Sequence, residues 1–171
     1  MKQLLSIVVM ICGLPGVGKT TTARLLAPHI KGVVISSDEI RKKLFRTPTY
    51  RTHEKHVVYE VMILVAQYLH KADINCILDA TFSKERTRSQ IRDKLGVTVK
   101  EFHVIECICS EDLVMTRLNT RKNDFSDADY SVYKMIKRIY EPVKQEHTKL
   151  DTESVSEIEI ESLALNLLKA N

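Results

Sequence analysis

The chain has 171 residues, of which 44% are hydrophobic and 28% are charged. This length is that of one ordinary domain with a full core, and the composition excludes a disordered, collagen-like or membrane-spanning chain. Residues 151–171 hold five acids and one lysine, so the net charge of +4 divides into −4 there and about +8 over the other 150 residues. A basic body of this kind suits a polyanionic partner, either nucleotide phosphates or nucleic acid.

The first residues and the cysteines both indicate a cytoplasmic protein. Lys2 and the apolar run 4–12 resemble the start of a signal peptide, but a glycine-rich loop follows where a small-residue cleavage site would be required. The run is too short to span a bilayer, so we expect a buried strand and no membrane association. The cysteines show no C-x-x-C spacing and lie in or beside runs of Ile, Val and Leu, which predicts buried free thiols in a reducing compartment for Cys12, Cys76, Cys107 and Cys109.

Along the chain, short apolar runs alternate with helical patterns, and no repeat or Pro/Gly-rich linker divides them. This alternation is typical of βαβ units with a parallel sheet, so we predict a single α/β domain over residues 1–171. In the third helix, helical spacing predicts a buried face formed by Val57, Val61, Leu64, Val65 and Tyr68. Strands are expected at 4–12, 33–36, 75–78, 99–109 and, weakly, 149–152, with helices at 19–29, 39–45, 53–71, 84–94, 111–120, 130–140 and 156–169.

The strongest motif follows the first predicted strand. Residues 13–20 read GLPGVGKT, a full G-x-x-x-x-G-K-[ST] phosphate loop between the strand and the helix that it requires. Such a loop brings successive backbone N–H groups onto phosphates, and the helix dipole adds to their field. We expect Lys19 to neutralise the β- and γ-phosphates and Thr20 to ligate Mg²⁺. The predicted nucleotide-binding residues of this segment are Gly13, Pro15, Gly16, Val17, Gly18, Lys19, Thr20 and Thr21.

A phosphate loop predicts binding of ATP or another nucleoside triphosphate, but it leaves the reaction open. GTPase-like strings occur at 93–96 (DKLG) and 148–151 (TKLD), yet the first ends a helical pattern and the second follows a polar stretch where a buried strand is needed. A motor or remodelling ATPase would carry paired acids at the end of a Walker B strand, where only Asp79 fits. The remaining pattern is that of a kinase, which transfers the phosphoryl group to an acceptor hydroxyl.

Two predicted strand ends carry the acids expected of a kinase, because ligands of such sheets bind at the carboxyl ends of the strands. Asp38 follows the second strand, where its carboxylate can accept the proton of the acceptor hydroxyl, and Arg41 can hold an anion of the acceptor one helical turn later. The alternative is a structural capping box of Ser36 and Glu39, with Asp38 favouring the helix N-terminus. Asp79 ends the third strand and serves either the water shell of Mg²⁺ or the acceptor.

Arginines later in the chain are further candidates. Arg86 lies on the helix after the third strand and is a candidate acceptor contact, with a solvated helix face as the alternative. Arg117 and Arg121 are four residues apart, ahead of the polar segment 122–129, and so share one helix face. A mobile lid with arginines would neutralise the charge that develops during phosphoryl transfer, although basic residues also stabilise helix C-termini.

Four blocks within residues 4–145 resemble small P-loop kinases of the AAA_33-like and zeta-toxin-like group, which includes the kinase domain of phage polynucleotide kinase and archaeal seryl-tRNA kinase. The blocks are the phosphate loop, the D-x-x-R at 38–41, the D-x-[NT] at 79–81 with the arginine helix after it, and the R-x-x-x-R at 117–121. The resemblance implies a P-loop NTPase αβα sandwich with five parallel strands in the order 2-3-1-4-5 and a helical lid at about 117–132. It also implies catalysis by Asp38, Lys19 and Arg121, nucleotide binding by Arg117, and acceptor binding by Arg41, Asp79, Thr81 and Arg86.

The leading hypothesis is an ATP- and Mg²⁺-dependent kinase that acts on the 5′-hydroxyl of a polynucleotide or nucleotide. A kinase of a small hydroxyl compound (gluconate-, nucleoside- or adenylylsulfate-type) or of seryl-tRNA is the alternative, since related kinases share the same loop. From the length of the chain we do not expect the C-terminal tRNA-binding region that seryl-tRNA kinases carry. A nucleotide-binding regulatory NTPase is a third alternative, against which Asp38 and Arg41 count. Mg²⁺ is expected on Thr20, with Asp38 or Asp79 contributing through water.

Overall fold

The computed structural model describes residues 6–120 and 127–169. Within these ranges the elements alternate between strand and helix over most of the chain, as predicted for βαβ units. In chain order they are β1 (Val8–Cys12), α1 (Lys19–Ile30), β2 (Val33–Ser36), α2 (Ser37–Leu44), α3 (Thr52–Lys71), β3 (Cys76–Asp79), α4 (Glu85–Leu95), β4 (Phe102–Ile108), α5 (Glu111–Thr120), α6 (Tyr130–Ile139), β5 (Thr148–Asp151) and α7 (Glu157–Lys169).

The five strands form one parallel sheet in the order β2-β3-β1-β4-β5, which confirms the order that the resemblance implied. The central strand β1 is buried along its whole length, with Val8 opposite Cys76 on one side and opposite Phe102 on the other. A central, fully apolar strand of this kind is typical of a sheet covered on both faces. Its carboxyl end therefore delivers the following loop to the middle of one sheet edge.

Side chains of β1 alternate between two separate hydrophobic cores, which makes the molecule three layers deep. Val8 and Met10 pack into the core beneath α3 and α4. Val9 and Ile11 pack into the core beneath α1 and α7. Successive side chains of a strand point to opposite faces, so one uninterrupted apolar run supplies both cores. The predicted αβα sandwich is confirmed.

The predicted buried face of α3 is wrong. Leu64, Val65 and Tyr68 are exposed, the last of them to 68%. The side chains that pack on the sheet form the adjacent stripe, namely Val58, Tyr59, Met62, Ile63 and Ala66. Both stripes have helical spacing, and the sheet accommodates only one of them, so periodicity alone could not decide between the two.

Element boundaries differ from the prediction mainly at the first and fourth strands. β1 begins at Val8 in the structure; Ser6 and Ile7 are buried but lie outside the strand. β4 begins at Phe102, because the segment before it forms a turn in which Val99 is 66% exposed. The cysteines are free thiols, with Cys109 partly exposed and the other three buried. No helix among the described residues is long and apolar enough to cross a membrane.

Candidate active site

The phosphate loop connects the buried end of β1 to the first residue of α1, as its motif requires. Gly13, Gly16 and Gly18 all have positive φ angles, of 139°, 81° and 90°. A Cβ at Gly13 would lie 2.5 Å from the carbonyl oxygen of Cys107 on β4, so this position excludes any side chain. The loop therefore passes very close to the sheet before α1 begins, and its glycines allow the backbone to form a cradle for phosphates.

Lys19 begins α1, and its Nζ donates a 2.8 Å hydrogen bond to the carbonyl oxygen of Leu14. Burial lowers the pKa of Lys19, and the negative charges of Asp79 and Asp38 oppose that shift. The ammonium group thus lies among loop carbonyls and two carboxylates in a region partly removed from water. A cation in such a place interacts strongly with phosphate oxygens, because water screens the attraction only weakly.

Thr20 and Asp79 are joined by a 2.7 Å hydrogen bond from Thr20 Oγ1 to Asp79 Oδ2. Asp79 ends β3, where it lies opposite both Ile11 of β1 and Ser36 of β2. Burial raises the pKa of Asp79, while the nearby Lys19 ammonium opposes the increase. One hydroxyl and one carboxylate fit Mg²⁺, which is commonly held by one or two carboxylates together with nucleotide phosphates and water. No group of three or more His, Cys, Asp or Glu residues able to hold a metal occurs in the described ranges.

A cavity of about 350 Å³ opens beside the phosphate loop at the carboxyl edge of the sheet. On one side it is lined by the loop and the start of α1, including Lys19, Thr20 and Thr21. On the other side it is lined by Asp38 and Arg41 of α2, and Asp79 and Thr81 lie between the two sides. Side chains predicted from separate segments of the chain thus share one concave surface.

Asp38 reaches the cavity because α2 begins directly after β2. Ser36 occupies the N-cap position, but its side chain makes no capping hydrogen bond, so the alternative capping box with Glu39 is not formed. Asp38 lies in the first helical turn, where a negative charge is favoured by the helix dipole. Both the local helix and the cavity therefore accommodate this carboxylate.

Arg41 is a buried cation with unused hydrogen-bonding capacity. The residue is only 7% exposed, and its Nε and Nη1 groups are buried without a hydrogen-bond partner among the described residues. Glu54 Oε2 lies 3.8 Å from Nη1, which is an ion pair but not a hydrogen bond. The Tyr50 ring covers the guanidinium, with its centroid 4.9 Å from the Arg41 Cζ. Buried unsatisfied donors are costly, so this arrangement favours an anionic ligand that would accept hydrogen bonds from them.

Several cavity residues were not predicted from the sequence, because they reach the site only through tertiary packing. Lys55 and Tyr59 extend from the first turns of α3, four residues apart, with the Lys55 ammonium 5.5 Å from the Tyr59 ring centroid. Arg24 contributes a cation from α1. A mostly apolar part of the lining comes from α6 and the residue two before it, namely Ala128, Val132, Met135 and Ile136. In the sequence, the only sign that these residues belong to the site is the spacing of Lys55 and Tyr59 at i and i+4 near a helix start, and this is a weak indication.

Tyr50 and Asp127 join the two sides of the cavity. Tyr50 has a positive φ of 57° and donates a hydrogen bond from its hydroxyl to Asp127. Lys42 Nζ donates to the other oxygen of the same carboxylate over 2.8 Å. These two hydrogen bonds lower the pKa of Asp127. They connect the segment that leads into α6 with the loop that covers Arg41.

Two predicted arginines do not line the cavity. Arg117 donates from Nη1 to Thr152 Oγ1 over 2.9 Å and from Nη2 to the Thr152 carbonyl over 2.8 Å. Thr152 in turn donates to the carbonyl of Val17, so Arg117 supports the phosphate loop from behind. Arg86 is exposed on α4, away from the cavity. Arg121 and residues 122–126 of the predicted lid at 117–132 lie outside the described residues.

A protein-family model with the description AAA_33, an AAA domain, matches residues 8–143. The chain belongs to the AAA_33 family. The match runs from β1 to the residues after α6 and thus contains every element that lines the cavity. A comparison of this AAA_33 chain with curated proteins finds no match.

Solved structures share the fold of this AAA_33 protein at low sequence identity. A sugar kinase from Janibacter sp. HTCC2649 is similar with a TM-score of 0.74 and 15% identity over 96% of this chain and 95% of that chain. The Mycobacterium tuberculosis APS kinase CysC, in complex with AMPPNP and APS, is similar with a TM-score of 0.70 and 15% identity over 98% of both chains. Chaetomium thermophilum Kti12, in complex with ADP-AlF3, has a TM-score of 0.72 and 16% identity over 95% of this chain and 98% of that chain. At this identity the likeness establishes the common fold.

Proposed function

We propose that this AAA_33 protein is a kinase that transfers the γ-phosphoryl group of ATP, with Mg²⁺, to the 5′-hydroxyl of a nucleotide or polynucleotide. One observation carries the proposal: a single cavity joins Lys19 and Thr20 of the phosphate loop to Asp38 and the buried, unsatisfied Arg41. A protein that only binds or hydrolyses a nucleotide has no need for a buried anion-binding arginine on the far side of the cavity.

The phosphate loop and α1 would hold the nucleotide. Backbone N–H groups of the loop would bind the phosphates, and Lys19 would leave the Leu14 carbonyl to neutralise the β- and γ-phosphates. Thr20 and Asp79 would hold Mg²⁺, which when bound neutralises phosphate charge that develops during transfer. Arg117 would stiffen the loop through Thr152, and we retain Arg121 as a proposed contact of the transferring phosphoryl group.

Asp38 would act as the proton acceptor of the reaction. The acceptor oxygen forms a bond to the γ-phosphorus, the bond between that phosphorus and the β–γ bridging oxygen breaks, and ADP leaves with the electron pair. The hydroxyl proton passes to the Asp38 carboxylate. Its position in the first turn of α2, in the same cavity as Lys19, supports this role.

The chemistry of the acceptor side favours a nucleotide. Arg41 and Lys55 supply two cations for a phosphate close to the reacting hydroxyl. Tyr50 and Tyr59 supply aromatic surface, and α6 supplies an apolar wall, which together suit a flat heterocyclic base. A sugar acid without an aromatic part would leave this wall without a partner.

A kinase of a small hydroxyl compound is the second candidate. Two similar structures are named as kinases of such acceptors, a sugar kinase and an APS kinase. A nucleotide-binding regulatory NTPase is the third candidate, and the Arg41 arrangement counts against it.

The deciding experiment incubates the protein with γ-labelled ATP, Mg²⁺ and a panel of acceptors. The panel contains nucleoside 3′-monophosphates and short oligonucleotides with 5′-hydroxyls, tRNA, gluconate, adenylylsulfate and free nucleosides. We expect label on the 5′-hydroxyl compounds that carry a phosphate, and loss of that transfer in Arg41→Met with ATP binding retained. Label on gluconate or adenylylsulfate alone would establish the second candidate, and label on no acceptor would refute the kinase proposal.

A further inference from the structure

A second cavity lies next to the first and shares two of its residues. It has a volume of about 270 Å³ and runs between α3 and α4. Lys55 and Tyr59 line both cavities, so the two cavities are adjacent and meet at these side chains. A ligand that extends beyond the first cavity past these two side chains would enter the second.

The direction of this groove is set by the two helices that form it. α3 and α4 both begin near the carboxyl edge of the sheet, since α4 follows the end of β3 and α3 begins two residues after Tyr50 of the first cavity. Both helices then run away from that edge, antiparallel to the strands. The α3 side of the groove extends from Thr52 to Ile63, and the α4 side extends from Lys84 to Lys94. The groove therefore leads from the reacting end of the molecule along its flank.

The charge of the groove is positive. Among the described residues, Lys55, Lys84 and Lys94 line it against one carboxylate, that of Glu60. Lys84 is paired 3.0 Å from Glu141 Oε1, but both side chains are about half exposed, so water or another anion can readily replace that contact. Lys94 is paired with Glu60 further along the groove.

Lys55 carries the strongest indication of an anionic ligand. Its Nζ donates to the Ser83 hydroxyl over 3.2 Å, and no carboxylate among the described residues forms an ion pair with it. Burial lowers the pKa of Lys55, and the positive charges of Arg41 and Lys84 lower it further. Three cations from the two cavities are thus near enough to repel one another, and an anion bound among them would relieve that repulsion.

We propose that the α3–α4 groove binds the phosphodiester backbone that follows the acceptor nucleotide, so that the acceptor is a polynucleotide. This inference rests on the proposed function, because it assumes that the first cavity holds the 5′-terminal nucleotide. The phosphates of a single strand could each interact with one of the lysines that line the groove from the first cavity onward. A mononucleotide or a sugar would occupy the first cavity only and would not contact the groove.

The first test is a length series of acceptors with the full chain. kcat/KM for phosphoryl transfer is measured for a thymidine 3′-monophosphate and for 5′-hydroxyl oligothymidylates of two, three and five residues. We expect kcat/KM to rise about tenfold from the monophosphate to the trinucleotide and then to level off, since each added phosphate contact strengthens binding. Equal kcat/KM for all lengths would overturn the inference while leaving the kinase proposal intact.

The second test measures binding directly and needs no catalysis. Anisotropy of a fluorescent oligothymidylate pentamer gives Kd at several salt concentrations for the wild type and for Lys84→Gln. Loss of one phosphate contact on a single strand should reduce the slope of log Kd against log salt by about 0.7. Lys71→Gln is the matched control, because Lys71 lies at the far end of α3 outside both cavities and its substitution changes the net charge equally. Glu141→Gln is a second control, since it breaks the same surface ion pair but keeps the lysine.

The outcomes separate the two proposals. A lower slope in Lys84→Gln, with a slope no lower than that of the wild type in both controls, would support the groove as the binding site. Equal slopes in Lys84→Gln and Lys71→Gln, or no binding of the pentamer, would overturn it. Absence of transfer to any 5′-hydroxyl acceptor would instead refute the proposed function, whatever the anisotropy shows.

Discussion

The Glu54 carboxylate lies 3.8 Å from the Arg41 guanidinium, and both residues are buried. The same carboxylate accepts hydrogen bonds from the Thr49 backbone and hydroxyl and from the Tyr50 backbone, at 2.6 to 3.0 Å. Glu54 therefore does two things at once: it balances the buried cation, and it holds the loop whose tyrosine ring covers that cation. Glu54 thus supports the side of the cavity that we propose for an anion.

Glu54→Gln should weaken both the fold and the binding of the acceptor. Hydrogen bonds from Thr49 hold the pKa of Glu54 below its ordinary value of 4.5. Because that pKa is lower in the folded protein than in the unfolded chain, the ionised carboxylate stabilises the fold above about pH 4.5, and this stabilisation is lost as the pH falls through the folded pKa. Urea unfolding of the two proteins should thus show a difference at pH 7 that shrinks on acidification. KM for the acceptor should rise, with KM for ATP nearly unchanged.

Glu161→Gln is the control for this comparison, because Glu161 is exposed on α7. We expect it to unfold like the wild type at both pH values. A constant difference between wild type and Glu54→Gln at all pH values would contradict the argument from the carboxylate pKa.

Asp38→Ala should nearly abolish phosphoryl transfer and leave ATP binding almost intact. Removal of a general base commonly reduces rates by about 10²- to 10⁴-fold. The nucleotide would be held by the phosphate loop and not by Asp38. Kd for ATP should therefore change by no more than about threefold, which is a small change in the binding free energy. Single-turnover transfer and equilibrium ATP binding are the measurements, with Asp112→Ala on the exposed face of α5 as the control. Transfer at the wild-type rate would exclude Asp38 as the proton acceptor.

Gly13→Ala and Gly96→Ala should differ strongly in their effect on stability. Both glycines have positive φ angles, but an added Cβ meets the Cys107 carbonyl at 2.5 Å at position 13 and nothing within 4 Å at position 96. Gly96→Ala should cost only the left-handed backbone penalty of about 1 kcal/mol. Gly13→Ala should cost about 3 kcal/mol or more, because the clash adds to backbone strain. Urea unfolding measures both values, and equal costs would show that the close approach of the loop to β4 is absent in solution.

Met62→Ala and Leu64→Ala test which stripe of α3 faces the sheet. Met62 is 1% exposed within the core, whereas Leu64 is 51% exposed. Truncation of the buried methionine should lower the free energy of unfolding by about 2–5 kcal/mol, through lost apolar contact and the cavity left behind. Truncation of the exposed leucine should change it by about 0.5 kcal/mol or less. A larger loss of stability in Leu64→Ala than in Met62→Ala would show instead that the stripe predicted from periodicity faces the sheet.

The phosphate loop and the strand ends were predictable because their information is contiguous in the sequence. Residues 13–20 combine glycines, lysine and threonine in one fixed spacing, and the apolar run before them ends where the motif begins. Asp38 and Asp79 were found because each comes at the end of a predicted strand. In a parallel sheet those ends meet at one edge, so separate segments could be assigned to one site without knowledge of their contacts.

Other parts of the site could not be predicted, because they depend on how the helices pack. Two apolar stripes on α3 had equal helical spacing, and the sheet selected the one with Met62, which in turn directed Lys55 and Tyr59 to the cavity. Arg117 and Arg86 had suitable spacing, but packing placed Arg117 behind the loop on Thr152 and Arg86 in solvent.

The sequence by itself determined the strands, the phosphate loop and the acids at the strand ends, because local apolar runs and glycines act through neighbouring residues. The tertiary structure alone decided the features on which the proposed acceptor site rests. These are the burial of Arg41 beside Glu54, the Tyr50 ring over it, and the α3–α4 groove. Each of these features is a contact between separate segments of the chain. The energy of such a contact depends on the distance between the groups and on the exclusion of water, and neither can be read from the spacing of residues in the sequence.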